Sequence, residues 1–183
     1  MTLQDILFVP TAASAEALES DIWDDDNRCC YSADGLYLLD AENFPPEVIV
    51  RPGTRVICDG VFAFQDYMAD VPLGTKKIPL EERDSFLEKI KLPDSLTHIG
   101  ESAFQECGQM LRIRLPKNLL YIGPYAFCDC WQLEKVNIPA SVQVIGKDAF
   151  IGCINLEEII LPKGADGQRI KAMLPRKLQK IAR

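Results

Sequence analysis

The sequence predicts a solenoid of the α/β class, in which short repeats stack along one axis and share one core. The first observation is a spacing of 23 residues between four prolines, which are Pro93, Pro116, Pro139 and Pro162. The second is that four other residue types return with the same period: Gly100, Gly123 and Gly146; Ala103, Ala126 and Ala149; Phe104, Phe127 and Phe150; Cys107, Cys130 and Cys153. A unit of this length cannot bury its own apolar face, so its stability depends on stacking against its neighbours.

A repeat period in the twenties is typical of leucine-rich repeats, whose units each contain a short strand. In the first regular unit, Ile90 and Leu92 alternate with Lys89 and Lys91, as a strand with one buried face requires. Pro93 ends this strand because proline has no N–H to donate to a sheet. We therefore predict short parallel strands, stacked in register and wound as a right-handed superhelix.

The rest of each unit returns the chain to the next strand. Leu96 and Ile99 are predicted to form a second short segment opposite the strand, and Gly100 to turn the chain. A helical turn is then predicted to close the coil and to bury three residues: Ala103, Phe104 and Cys107.

Residues 1–47 are predicted to form an N-terminal cap over the open end of the core. An extended start precedes a helix that Thr11 or Ser14 caps and that ends in the acidic run at 24–27. A hairpin follows at 28–40, where two β-favouring runs flank the turn residues Ala33-Asp34-Gly35.

Residues 48–162 are predicted to form the repeats, of which the first, at 48–62, is degenerate. It aligns with the next unit if one residue is deleted after its proline. The alignment matches Ile49 with Ile90, Pro52 with Pro93, Ile57 with Ile99 and Phe62 with Phe104, and it puts Cys58 at the glycine position. The long interval before Pro93 indicates an insertion at about 65–84, which is either a contact loop or a tolerated surface loop.

Residues 163–183 are predicted to form a C-terminal cap of two short helices separated by Pro175. This segment carries seven basic residues and one acid, whereas residues 1–50 carry eleven acids and one base. The opposite charges either belong to two solvated ends or attract each other, within one molecule or between two.

The seven cysteines include one at the same position of each regular repeat. We interpret this column as reduced and buried, because free cysteine behaves as a small apolar residue. Stacked strands lie about 4.8 Å apart, so Cys107 and Cys130 are within disulfide reach, and an oxidising compartment could join them. The sequence shows no secretory leader, so the expected compartment is the cytoplasm, with the cell surface or secretion as the alternative if a leader has been removed.

The pattern LxxIxLPxxLxxIGxxAFxxC resembles the BspA-like leucine-rich repeats, which occur in bacteria of the gut and mouth and in some protozoa. The resemblance covers residues 87–162 closely and extends to residue 48 through the degenerate repeat. It implies a binding scaffold, and several members of the family are regarded as surface adhesins.

Residues that would indicate catalysis are missing from the sequence. It has no nucleophile elbow, metalloprotease motif or phosphate-binding loop, and its cysteines lack the paired spacing of a zinc site. The single histidine, His98, is expected on an exposed face. We therefore expect no enzymatic activity, no cofactor and no metal. No nucleic-acid or membrane partner is expected either, because the basic C-terminus lacks interleaved aromatic residues and no apolar run is long enough to span a bilayer.

The outward positions of the strands are the predicted partner-binding face. One column contains Lys89, Arg112, Lys135 and Glu158, and the next contains Lys91, Arg114, Asn137 and Ile160. Five bases therefore share one face of an acidic protein. Either Glu88, Glu134 and Glu157 compensate these bases, or the face attracts an acidic protein partner.

Two functions follow from these patterns. The leading hypothesis is non-catalytic protein recognition through the concave strand face, with Lys89, Lys91, Arg112, Arg114, Lys135, Asn137 and Glu158 as the binding residues. The alternative is a structural or self-associating module held together by its oppositely charged ends.

Overall fold

The computed structural model describes residues 2–7, 9–19, 21–63 and 87–183, and it shows a solenoid of stacked repeats. The insertion predicted at 65–84 lies outside the described residues. Each repeat except the last contributes a three-residue strand followed by a two-residue strand, and the last contributes a three-residue strand alone. The three-residue strands are β4 (Glu47–Ile49), β6 (Lys89–Lys91), β8 (Arg112–Arg114), β10 (Lys135–Asn137) and β12 (Glu158–Ile160). The two-residue strands are β5 (Val56–Ile57), β7 (His98–Ile99), β9 (Tyr121–Ile122) and β11 (Val144–Ile145).

All strand pairs between repeats are parallel and in register. β4 pairs with β6, and β8, β10 and β12 form a three-stranded sheet next to that pair. β5, β7, β9 and β11 form the second side of the coil as part of a seven-stranded sheet. The solenoid predicted from the 23-residue period is confirmed.

The inward strand positions are apolar and buried, as the alternation predicts. Ile113, Leu115, Val136 and Ile138 are at most 5% exposed. Beneath them the phenylalanine column stacks face to face along the axis. Ring centroids are 5.2 Å apart from Phe62 to Phe104, from Phe104 to Phe127 and from Phe127 to Phe150, with interplanar angles of 9°, 2° and 6°. Phe44 covers the first ring edge-on at 5.3 Å.

The corner that closes each coil is built from tight turns, so the predicted helical turn is wrong. Ser102 and Glu106 adopt positive φ angles of 53° and 59°, which interrupt a right-handed helix, and Tyr125 and Asp129 repeat them. This conformation points N–H groups along the axis instead of back into a helix. Phe104 N donates to Ala126 O at 2.8 Å, and Phe127 N donates to Ala149 O at 2.8 Å. We call these bonds between corners the turn ladder.

The glycine column is required by close backbone approach. A Cβ on Gly123 would lie 2.5 Å from the carbonyl carbon of Gly100, and one on Gly146 would lie 2.3 Å from the nitrogen of Pro124. No side chain fits at such distances, so glycine sets how closely successive coils approach. Cys58, at the equivalent position of the first repeat, donates its N–H to Leu38 O, as Gly100 does to Ile57 O, but its acceptor strand lies outside the repeats.

The first repeat keeps the register of the others, which corrects the alignment across its proline. Val48, not Ile49, pairs with Ile90, while Ile57 pairs with Ile99 as predicted. The offset is constant at 42 residues, as in the bond from Thr97 Oγ1 to Arg55 O, so no residue is deleted. Ile49 points outward and is 55% exposed. The alignment was wrong because it matched Pro52 with Pro93, although Pro52 follows its strand one residue later than the prolines of the regular repeats do.

The N-terminal segment contains helices α1 (Leu3–Leu7) and α2 (Ala15–Glu19) and strands β1 (Ile22–Asp24), β2 (Cys29–Tyr31) and β3 (Tyr37–Ala41). The predicted hairpin is confirmed as the antiparallel pair of β2 and β3. The extended start is wrong, because Thr2 and Asp5 cap α1 through reciprocal side-chain bonds to each other's N–H.

The second helix of this segment is shorter than predicted. Ser14 Oγ caps α2 by accepting from Ala17 N at 3.1 Å. The helix does not reach the acidic run, since Ile22 and Trp23 pair with β2 as strand β1. Strand pairing with β-favouring residues thus outweighs the helix propensity of the preceding residues.

The C-terminal segment contains α3 (Ala165–Met173) and α4 (Arg176–Gln179), which confirms the two predicted helices. Ile170 and Leu174 are buried against the last coil. Ala182 forms a parallel bridge to Ile159 in β12, so the chain end covers the edge of the three-stranded sheet.

Replacing Phe127 by alanine should lower the free energy of unfolding by about 3–5 kcal/mol, because the ring is fully buried between two others. Leu111→Ala is the matched control, since Leu111 is 47% exposed, and it should change the free energy by no more than about 0.5 kcal/mol. Urea denaturation of both variants gives the comparison. Equal losses in the two variants would contradict a core carried by the phenylalanine column.

Candidate partner-binding surface

The structure brings the seven predicted binding residues onto one outer strand face. Arg112, Lys135 and Glu158 are direct neighbours across β8, β10 and β12, and Arg114 and Asn137 are neighbours in the next column. Lys89 and Lys91 extend the two columns on β6. All point away from the core, and all except the half-buried Glu158 are exposed.

The column from Lys89 to Glu158 is already neutralised. Lys89 Nζ forms an ion pair with Glu47, its direct neighbour on β4. Lys135 Nζ lies 2.6 Å from Glu158 Oε2, and this bond is the main cause that lowers the pKa of Glu158. Arg112 lies 3.7 Å from Glu134. The compensating acids are therefore Glu47, Glu134 and Glu158, and of the three expected from sequence only Glu134 forms an ion pair on the described face.

The second column is different. Within the part of the chain that the structure describes, Lys91 and Arg114 have no ion-pair partner. Both line a groove of about 610 Å³ on the side of the strand face where the prolines lie. The other residues around this groove are apolar except for one acid: Pro52, Ile90, Leu92, Pro93, Asp94 and Pro116. Asp94 is engaged with Lys117 at 3.2 Å.

The groove was not predicted from the sequence, although its signal is there. Pro93 and Pro116 stand next to the outward bases at the repeat spacing, and Pro52 extends the row. Rigid, apolar proline rings beside two uncompensated bases form a surface that suits an acidic segment with apolar residues.

Comparison with known proteins decides the family. A family model described as the BspA type leucine rich repeat region matches residues 83–181 in six copies. The chain belongs to this family. No curated protein matches the chain in sequence.

Solved structures of leucine-rich repeat proteins share this fold. A leucine-rich repeat protein from Bacteroides capillosus ATCC 29799 has a TM-score of 0.58 at 20% identity, covering 76% of this chain and 96% of that chain. A leucine rich cell surface protein from Faecalibacterium prausnitzii A2-165 has a TM-score of 0.56 at 21% identity, covering 85% of this chain and 42% of that one. The leucine-rich repeat protein of T. pallidum has a TM-score of 0.52 at 23% identity, covering 82% and 72% of the two chains.

Repeats of the BspA type are typically non-catalytic interaction modules, and the described residues contain no cluster of histidine, cysteine and acidic side chains that would hold a metal ion. None of the helices described is long and apolar enough to cross a bilayer. The cysteines at the repeat position are free and buried. Each donates its thiol to a phenylalanine carbonyl of the preceding repeat, as Cys130 does to Phe104 O at 3.2 Å and Cys153 to Phe127 O at 3.0 Å.

His98 is buried, which corrects the expectation of an exposed side chain. It is 2% exposed, its Nε2 donates to Ile6 O at 3.0 Å, and its ring stacks on Tyr121 at 5.7 Å. The repeat pattern leaves this position exposed to solvent, but helix α1, which contains Ile6, packs over it. Burial lowers the pKa of His98 below its ordinary value, only partly opposed by the bond to Ile6.

The lowered pKa of His98 predicts a pH-dependent stability. The unfolded chain takes up the proton near the ordinary value of about 6.5 and the folded chain only at lower pH, so stability is complete above that value and decreases as the pH falls below it. Urea denaturation between about pH 5 and pH 8 should show this slope in the wild-type protein. His98 is the single histidine, so His98→Asn should be less stable at neutral pH but should lack the slope. An unchanged slope in the variant would assign it to other groups.

Proposed function

We propose that this chain recognises an acidic protein segment through its outer strand face, without turnover. The observation that carries the proposal is the pair of adjacent exposed bases, Lys91 and Arg114, that lack an ion-pair partner in the described chain and border an apolar groove. Membership of the family supports a role as an interaction module. The two bases and the apolar lining of the groove favour a partner segment that is both acidic and apolar.

The rest of the face contributes to specificity rather than to net attraction. Lys89, Arg112, Lys135 and Glu158 already hold partners, and exposed pairs of this kind contribute little to stability, so they can exchange partners at small cost. Asn137 adds an uncharged polar group beside Arg114. An acidic segment would therefore meet the two free bases first, while apolar side chains enter the groove between the prolines.

Selection of peptides displayed on phage against the wild-type chain tests this proposal. The enriched peptides should combine acidic with apolar residues. Their Kd, measured by fluorescence anisotropy, should rise at least about tenfold for the double variant Lys91→Glu, Arg114→Glu.

The matched control is Lys89→Glu, Arg112→Glu, which makes the same change of charge on the same face but in the neutralised column. It should raise the Kd less than the first variant does. Peptides that bind the Lys91 and Arg114 variant as tightly as the wild-type chain would exclude the groove as the site.

The compartment is part of the proposal. We propose the cytoplasm, supported by seven free and buried cysteines, with the cell surface as the alternative suggested by the relative from Faecalibacterium prausnitzii. Burial raises the pKa of Cys29 and Cys58 to about 12, so these thiols stay protonated and unreactive. Fractionation of cells that produce the tagged protein should recover it in the cytoplasmic fraction, and recovery from the cell envelope would support the alternative.

A further inference from the structure

The turn ladder ends with three unused donors. In each inner repeat, three corner N–H groups donate to carbonyls of the next repeat: Ser102 to Pro124, Phe104 to Ala126 and Glu106 to Cys128, then Tyr125 to Lys147, Phe127 to Ala149 and Asp129 to Ile151. The equivalent groups of the last repeat belong to Asp148, Phe150 and Gly152. They make no hydrogen bond to any residue that the structure describes.

The C-terminal segment contacts the last coil at β12 and beside β11, but it gives these three corner N–H groups no partner. Ala182 bridges to β12, and Arg169 donates to the carbonyls of Val142 and Ala140 beside β11, at 2.6 and 3.0 Å. The edge of the three-stranded sheet at this end is thus covered, whereas the three corner N–H groups stay open among the described residues.

A groove of about 400 Å³ lies between the open corner and α4. Its floor and sides are apolar: Phe150, Ile151, Ile154, Leu178 and Ile181 line it. Ile154 is 76% exposed and Ile151 is 51% exposed, although both are large aliphatic residues. Exposed apolar residues that line one groove mark a contact surface rather than ordinary solvent-facing positions.

The charged groups at the groove determine which occupant suits it. Lys177 and Lys180 stand on its α4 side and are exposed. Asp148 stands on the other side and is paired with Lys147 at 3.9 Å. An occupant should therefore be acidic, carry large apolar side chains and present backbone carbonyls at every second residue, as one edge of a strand does.

Strand β1 at the opposite end of the molecule has these properties. It is the outermost strand of the seven-stranded sheet, so in the described chain only one of its edges is paired. Ile22 and Trp23 are 45% and 41% exposed. Asp25 and Asp26 follow directly and are exposed, without an ion-pair partner among the described residues.

We propose that the C-terminal groove of one copy binds strand β1 of a second copy, so that the molecules associate head to tail. Trp23 enters the groove beside Phe150, while Ile22 lies on the opposite face of the strand. Asp25 and Asp26 approach Lys177 and Lys180, and strand carbonyls accept from the open corner N–H groups. Because the two surfaces differ, each added copy exposes a new groove, and assembly continues with concentration unless it closes into a ring. This site is separate from the groove of Lys91 and Arg114, so either proposal can fail without the other.

Charge-swap mixing of the full chain tests the contact. Size-exclusion chromatography with light scattering, at protein concentrations up to about 0.1 mM, should show oligomers of the wild-type chain at about 0.05 M salt and fewer at about 0.5 M salt. The variants Asp25→Lys, Asp26→Lys and Lys177→Glu, Lys180→Glu should each remain monomeric under the same conditions.

An equimolar mixture of the two variants should associate again. The swapped strand of the first fits the swapped groove of the second, and the unchanged strand of the second fits the unchanged groove of the first. Lys117→Glu, Lys163→Glu, which changes the charge equally outside the groove, is the matched control and should associate like the wild-type chain. Circular dichroism establishes that all variants are folded. A wild-type chain that stays monomeric at low salt, or folded variants whose mixture stays monomeric, would overturn the proposal.

Discussion

The constant distance between coils is the constraint on which the structure depends. Three successive phenylalanine pairs have the same centroid separation of 5.2 Å, and they can do so only if every coil rises by the same amount. Glycine at the close-approach position permits that rise, and the hydrogen bonds of the turn ladder fix it. Strand pairing, ring stacking and corner hydrogen bonds therefore share one spacing, and each supports the others.

The same spacing turns sequence period into surface pattern. Residues 23 positions apart become neighbours, as Lys135 is of Arg112, so like charges at one repeat position meet across adjacent strands. In the column from Lys89 to Glu158, acids beside or within the column form ion pairs with the bases. In the other column, Lys91 and Arg114 have no ion-pair partner among the described residues. The chemical character of this face therefore depends on which bases lack an ion-pair partner, and not on the total of five bases.

The period made the solenoid, the strand alternation and the buried columns predictable, because these depend on interactions that repeat. Features that occur once were harder to predict. The pairing of Val48 with Ile90 was missed since a proline one residue out of place drew the alignment, and the burial of His98 depends on a helix more than ninety residues earlier in the chain. Glu47 is the direct neighbour of Lys89 in the observed register, so this ion pair was hidden by the same shifted alignment. The groove beside Arg114 depends on the shape between strands, which residue spacing does not encode.

The register between the first two described coils has a consequence for how such chains vary. Equivalent residues there are 42 positions apart, nineteen more than in the regular repeats, yet Phe62 meets Phe104 at the same distance as the later rings. The number of residues between two coils is therefore not fixed by the stacking, and chain can be added or removed at this junction without a change in core geometry on either side.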